Sequence, residues 1–169
     1  MRKILIFGNS GSGKSTLARK FHTDSGLAHL DLDLLAWKPT TPPERKPLHV
    51  SVQEIDRFIQ AHENWVIEGC YADLLEIALA KSNEIIFMNL SVEACIANAK
   101  NRPWEPHKYV SKQAQDANLE MLIDWISQYP ERTDTFSESA HIALYEKYQG
   151  KKSIFTRNKR THKQVQNGG

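Results

Sequence analysis

The stretch Gly8-Asn9-Ser10-Gly11-Ser12-Gly13-Lys14-Ser15 constrains this chain more than any other. Its spacing is Gly-x-x-x-x-Gly-Lys-Ser. It stands between a short β-branched and aromatic run, Lys3 to Phe7, and a helix-forming run, Lys14 to Lys20. Strand, glycine loop and helix in that order make a phosphate cradle. Residues lacking Cβ let backbone N–H groups turn to one point, and the helix start adds unpaired amides. Lys14 is then expected to reach the β and γ phosphates of a nucleotide, and the Ser15 hydroxyl the magnesium ion they share. Asn9, Ser10, Ser12 and Thr16 complete the stretch expected to meet the nucleotide.

The remaining pattern supplies strands separated by helices. Leu27 to Leu30, Trp65 to Ile67, Glu84 to Leu90 and Lys152 to Thr156 read as further strands, several of them continuously apolar as in parallel sheets covered on both faces. Helices are expected from Ser51, where Ser51 and Glu54 have capping-box spacing, and over Leu74–Lys81, Val92–Lys100, Gln113–Tyr129 and Glu138–Tyr148. In the long one Ala117, Met121, Leu122, Trp125 and Tyr129 are expected near one another. The fold class is an α/β layered sandwich around a mostly parallel sheet. With 169 residues and 40% hydrophobic content, one core in one domain over residues 1–169 is expected. Two proline-bearing inserts, 38–50 (including "KPTTPPERKP") and 101–111, read as flaps over a site at the carboxyl ends of the strands.

Composition excludes several classes. Cys70 and Cys95 lack metal or disulfide spacing, and free thiols in a reducing cytoplasm are expected. No apolar run approaches the roughly 18 residues of a membrane span, so no membrane partner is expected. The formal charge of +2 is uneven: from Lys151 onward there are six Lys or Arg and no acid, whereas the first 150 residues carry 16 basic and 20 acidic groups. That body lacks the basic stripe of a protein tracking nucleic acid. A monomer or weak homodimer is expected, with a nucleotide and a small molecule as partners.

Two further stretches bear on chemistry. In "HLDLD", Asp31 and Asp33 are expected to face different sides, one towards the magnesium and the other towards an acceptor hydroxyl. Arg102, at the start of the second insert, and Arg132, after the long helix, are candidates to swing over the phosphates and stabilise charge during transfer. His107 and Lys108 share that placement. No Asn-Lys-x-Asp base-recognition stretch of GTP switches is found.

Together "GNSGSGKSTLA", "HLDLDLLAWKP", "WVIEGCY", "EIIFMNL", "RPWEPHKYVSKQAQDANLEML" and "YEKYQGKK" resemble the small adenylate-kinase-like P-loop proteins labelled topology modulation proteins. The pattern is more distantly similar to nucleoside-monophosphate kinases and shikimate kinase. The resemblance implies a five-stranded parallel sheet in the order 2-3-1-4-5 with helices on both faces, an acceptor insert over about 38–62 and a lid over about 101–113. It implies ATP and Mg2+, and phosphoryl transfer to a small acceptor; the alternative is a nucleotide-binding regulatory or DNA-associated protein. By the Asp-x-Asp order of shikimate kinase, Asp31 belongs to the magnesium shell and Asp33 to the acceptor. By the adenylate-kinase match Glu68 and Gly69 border the acceptor, Arg102 enters the lid, and Arg157 and Asn158 pack on the adenine. The chain departs from these relatives at Cys70, often Asn in the small group. It departs also in the acceptor insert, where Arg45 and Lys46, with Arg57 just beyond, stand in for the arginines that hold a monophosphate in adenylate kinases.

Overall fold

The computed structural model describes residues 1–158. The elements run β1 (Lys3–Gly8), α1 (Lys14–Ser25), β2 (Ala28–Asp31), α2 (Asp33–Ala36), α3 (Leu48–Ala61), β3 (Trp65–Gly69), α4 (Ala72–Leu79), β4 (Glu84–Met88), α5 (Val92–Lys100), α6 (Lys112–Ala117), α7 (Leu119–Ser127), α8 (Glu138–Lys147) and β5 (Lys151–Phe155). The strands form one parallel sheet in the order β2-β3-β1-β4-β5, with helices on both faces.

Alternation along the strands builds both faces. Leu5 and Phe7 of β1 join Trp65, Ile67, Ile85 and Phe87 beneath α3, α4 and α8, where Ile55, Leu74, Leu75 and Leu144 meet them. Ile4 and Ile6 join Val66, Ile86 and Met88 beneath α1, α5 and α7, meeting Leu17, Ala18, Cys95 and Ile126. Every residue of β3 and β4 is therefore buried, as a doubly covered parallel strand demands. The register then assembles the site: Phe7 lies beside Gly69, Gly8 beside Met88, and Asp31 beside Glu68, so the glycine loop and two carboxylates leave the sheet at the same edge.

Some expected boundaries are corrected. The helix over 113–129 is two helices, α6 and α7, broken at Asn118; its amide donates to the Ala114 and Gln115 carbonyls and its Nδ2 to the Tyr109 hydroxyl at 2.9 Å. Met121 is 68% exposed and does not share the inward face, which Ile126 fills. The helix expected from Ser51 begins three residues earlier, after Pro47, whose ring presets φ. Ser51 is inside it, and its buried hydroxyl donates to the Leu35 carbonyl at 3.0 Å, while Glu54 pairs with Lys46 at 3.1 Å. The basic run from Lys159 onward lies outside the described residues.

α8 brings a titratable group into the core. His141 is fully buried, with Nδ1 2.7 Å from the Tyr129 hydroxyl and Nε2 2.8 Å from the Cys70 carbonyl oxygen. A neutral ring satisfies both contacts, Nε2–H donating to the carbonyl and Nδ1 accepting from the phenol. Burial lowers the His141 pKa to about 4, against the upward pull of the Cys70 carbonyl. Between pH 6.5 and 4 the unfolded chain binds a proton that the native ring does not. The His141 contribution to stability is thus complete above about pH 6.5 and falls by on the order of 3 kcal/mol towards pH 4. Because carboxylates titrate over the same range, the measurement is the stability difference between the parent protein and His141→Gln in urea unfolding, which should fall by that amount from pH 6.5 to 4.

Candidate functional site

The glycine loop between β1 and α1 is fixed from three sides. Gly8, Gly11 and Gly13 all have positive φ, and at Gly11 (φ 77°) a Cβ would lie 2.5 Å from the Cys95 carbonyl oxygen of α5. Asn98, one turn further along α5, donates from Nδ2 to the Gly11 carbonyl at 2.8 Å and to Asn158 Oδ1 at 2.9 Å. Asn158 in turn donates to the Ser12 carbonyl at 3.1 Å. The Asn9 side chain donates to the Ile126 carbonyl at 3.2 Å, so its amide anchors α7. Lys14 Nζ folds over the loop and donates to the Asn9 carbonyl at 2.7 Å. The Ser12 hydroxyl is buried with no partner among the described residues. A cradle that excludes Cβ atoms, a helix start and an orphaned hydroxyl fit a phosphate group.

Beside the loop stand the carboxylates. The Ser15 hydroxyl donates to Glu68 Oε2 at 2.7 Å, and His29 Nε2 lies 3.0 Å from the same oxygen. Glu68, expected at the acceptor, thus has its carboxylate on Ser15, the serine expected to meet magnesium. Asp33 opens α2, and its backbone N–H donates to Asp31 Oδ1 at 2.9 Å. Lys108 Nζ lies 2.8 Å from Asp33 Oδ2 and 3.3 Å from Asp31 Oδ2. The expectation that the two aspartates face different sides is corrected: the chain leaves the strand at Asp31 and turns into α2 at Leu32, which folds Asp33 back beside Asp31, and both reach one ammonium. The Tyr71 hydroxyl donates to Asp33 Oδ1, and Trp37 Nε1 donates to that hydroxyl at 2.8 Å.

Their environments separate the pair. Burial, then the negative charges of Glu68 and Asp33, raise the Asp31 pKa to about 6 against the pull of Lys108. Burial also pushes Asp33 up, but the Lys108 charge and the hydrogen bonds from Lys108 and Tyr71 outweigh it, and its pKa falls below the usual carboxylate value. Burial opposes the Lys108 charge, yet Asp33, Asp31 and Glu105 keep it protonated and its pKa raised. Asp33 is therefore the firmly ionised member at neutral pH.

A cleft of about 1330 Å³ joins these groups. It is larger than a single small-ligand pocket of roughly 300–1,000 Å³ and has room for two molecules. Ser10, Gly11, Gly13 to Thr16 and, through its bond with Ser15, Glu68 line the loop end, Asp33 and Gly69 the part beyond it, and Arg102, Lys108, Arg157 and Asn158 complete the lining. Arg102 Nη1 donates to Glu105 Oε1 at 3.1 Å. Arg132 does not line this cleft, in correction of its expected place over the phosphates. Its Cζ stands 3.4 Å from the Trp125 ring centroid and its Nη1 donates to the Trp125 carbonyl at 3.0 Å, which ties it to the end of α7. Sequence reasoning missed Tyr71 and Asn98. An aromatic hydroxyl directly after the "EGC" strand end was a usable signal for Tyr71; a lone Asn within a helix gave none.

Among the described residues no group of three or more His, Cys, Asp or Glu is placed to hold a metal ion. The Ser15, Asp31 and Glu68 oxygens nevertheless suit a hard cation that keeps much of its water, and the raised Asp31 marks a place where positive charge is welcome. No described helix is long and apolar enough to cross a membrane.

Neither a family model nor a curated protein matches the chain. Solved structures do match. Shikimate kinase from Acinetobacter baumannii in complex with shikimate aligns over 99% of this chain and 90% of its own, at 14% identity and a TM-score of 0.50. Shikimate kinase from Bacteroides thetaiotaomicron aligns over 98% and 95%, at 16% identity and a TM-score of 0.51. At these identities the likeness is one of fold: the chain resembles P-loop kinases of the shikimate-kinase type in architecture.

The loop geometry makes a direct prediction. Gly11→Ala should lose about 1–3 kcal/mol of stability in urea unfolding, because both φ and the Cys95 carbonyl oppose the methyl group. A variant as stable as the parent would show that the loop is not held as described.

Proposed function

We propose that the protein is an ATP-dependent phosphotransferase acting on a small hydroxyl acceptor, and that it belongs with the adenylate-kinase-like group labelled topology modulation proteins. The observation that carries this reading is one cleft with Lys14 and Ser15 at one end and an ionised, doubly anchored Asp33 at the other. A hydrolytic or switching nucleotide site has no use for the second end.

In the proposed reaction the glycine loop takes the nucleotide's phosphates through its backbone N–H groups, and Lys14 exchanges the Asn9 carbonyl for β and γ oxygens. Ser15, Asp31 and Glu68 would hold magnesium, with Ser15 giving up its bond to Glu68. When bound, that ion supplies charge neutralisation on the donor phosphates. Arg157 and Asn158, which line the same cleft, would pack against the base. Residues 38–62 form the acceptor insert and 101–113 the lid, which brings Arg102 to the transferring group and excludes water. Asp33 accepts a hydrogen bond from the acceptor hydroxyl and orients its oxygen. That oxygen attacks the γ phosphorus, the bond to the β–γ bridging oxygen breaks, ADP leaves with the electron pair, and the hydroxyl proton passes to Asp33 and then to water. Lys108 and Tyr71 keep Asp33 ionised before the step.

An acceptor screen with ATP and magnesium, read as phosphorylated product, tests the assignment. Lys14→Ala and Asp33→Asn should each lower kcat/KM by roughly 100-fold or more with the fold intact. Lys14→Ala should also weaken binding of an ATP analogue, whereas Asp33→Asn should leave that binding near the parental value. Parental turnover in both variants would sink the reading.

A further inference from the structure

The two ends of the cleft differ in charge. At the loop end Lys14 donates to a backbone carbonyl and Arg19 approaches only the Thr16 hydroxyl, so these cations are not neutralised by carboxylates. At the Asp33 end the bases are matched already. Lys108 stands among Asp33, Asp31 and Glu105, Arg102 is on Glu105, and His107 is 3.8 Å from Glu105. With Asp31 and Glu68 given to magnesium in the proposed reaction, Asp33 and Glu105 are left with Lys108 and Arg102, and each of these cations already has its carboxylate.

The insert adds no positive charge to this end. Arg45 spans both oxygens of Asp73 at 3.1 and 3.2 Å, Lys46 takes Glu54 at 3.1 Å and Lys38 takes Glu44 at 3.8 Å. Arg57 is exposed on α3 and does not line the cleft. An anionic group brought here must draw Lys108 or Arg102 off its carboxylate, which is costly where that carboxylate is buried, as Glu105 is. A hydroxyl donor asks for no cation: a carboxylate oxygen has more than one lone pair, so Asp33 can accept from it while keeping Lys108 and Tyr71, and the 43% exposed Trp104 lines the same cleft with a ring that suits the flat face of a carbon skeleton.

Resting on the phosphotransferase reading, we propose that the acceptor is an alcohol carrying no anionic group, uncharged or cationic, and that the carboxylates gathered around Lys108 reject phosphorylated and carboxylated compounds. The transfer is the one written above, from the γ phosphorus of ATP to the alcohol oxygen, the proton leaving through Asp33.

The test uses the full chain and pairs that differ in an anionic group: adenosine and AMP, glucosamine and glucosamine 6-phosphate, methyl shikimate and shikimate. Each is measured for transfer from labelled ATP with magnesium, and separately for binding by ligand-observed NMR while a non-hydrolysable ATP analogue saturates the loop. The expected result is a preference of about tenfold or more for the non-anionic member of any pair that reacts or binds, narrowed several-fold in Glu105→Gln. Preference for AMP, glucosamine 6-phosphate or shikimate overturns the proposal, as does failure of every non-anionic compound both to bind and to react. Binding with the expected preference but no transfer to any compound keeps the acceptor chemistry and overturns the phosphotransferase reading instead.

Discussion

The crowding of carboxylates at the ends of β2 and β3 is the constraint on which the site depends. Asp31 and Glu68 are neighbours in register, both largely buried, and Asp33 follows two residues beyond the end of the strand. Three carboxylates at one edge need cationic or hydrogen-bonding partners, since burying an unpaired charge is costly. The chain meets this with Lys108, which crosses from a segment 75 residues further on, and with His29 and the Ser15 hydroxyl on Glu68. Removing positive charge here would disturb the edge of the sheet and the position of the 101–111 segment together.

Sheet topology explains why these groups meet at all. A parallel sheet in the order β2-β3-β1-β4-β5 sends every strand's carboxyl end to one side, and the reversal of strand order beside β1 leaves a crevice there. The glycine loop fills that crevice only because α5 approaches Gly11 to within the space a methyl group would need. Packing of the second core, through Cys95 and Ile126, is therefore also what sets the loop's position, with Asn98 and Asn9 as its polar pins.

Much of this was legible in the sequence, for identifiable reasons. Gly8 to Ser15 carries its own geometry, because few other conformations tolerate three glycines followed by Lys-Ser between a strand and a helix. Strands buried on both faces announce themselves as apolar runs, and β1, β3 and β4 were readable. What escaped was set by contacts distant along the chain. Ser51 has the spacing of a helix cap, but its hydroxyl is used by Leu35. Arg132 looks like a mobile arginine, but the Trp125 ring lies beneath it. Glu68 was readable as a site residue, yet whether it meets an acceptor or Ser15 depends on how α1 docks over β3, which no local pattern encodes.

The division of labour between Asp31 and Asp33 follows the same logic. Nothing in their spacing distinguishes them, and both approach the same ammonium. They differ in their second neighbours: Asp31 faces Glu68 and is pushed towards protonation, whereas Asp33 receives Tyr71 and the shorter contact with Lys108 and stays ionised. With its pKa near 6, Asp31 is still mostly ionised at neutral pH, so a cation arriving beside it would meet a charged carboxylate, and Asp33 would keep its charge for a hydroxyl. In the proposed transfer the donor and acceptor ends are thereby linked through Lys108: what neutralises one aspartate determines how tightly the lysine, and with it the 101–111 segment, is held by the other.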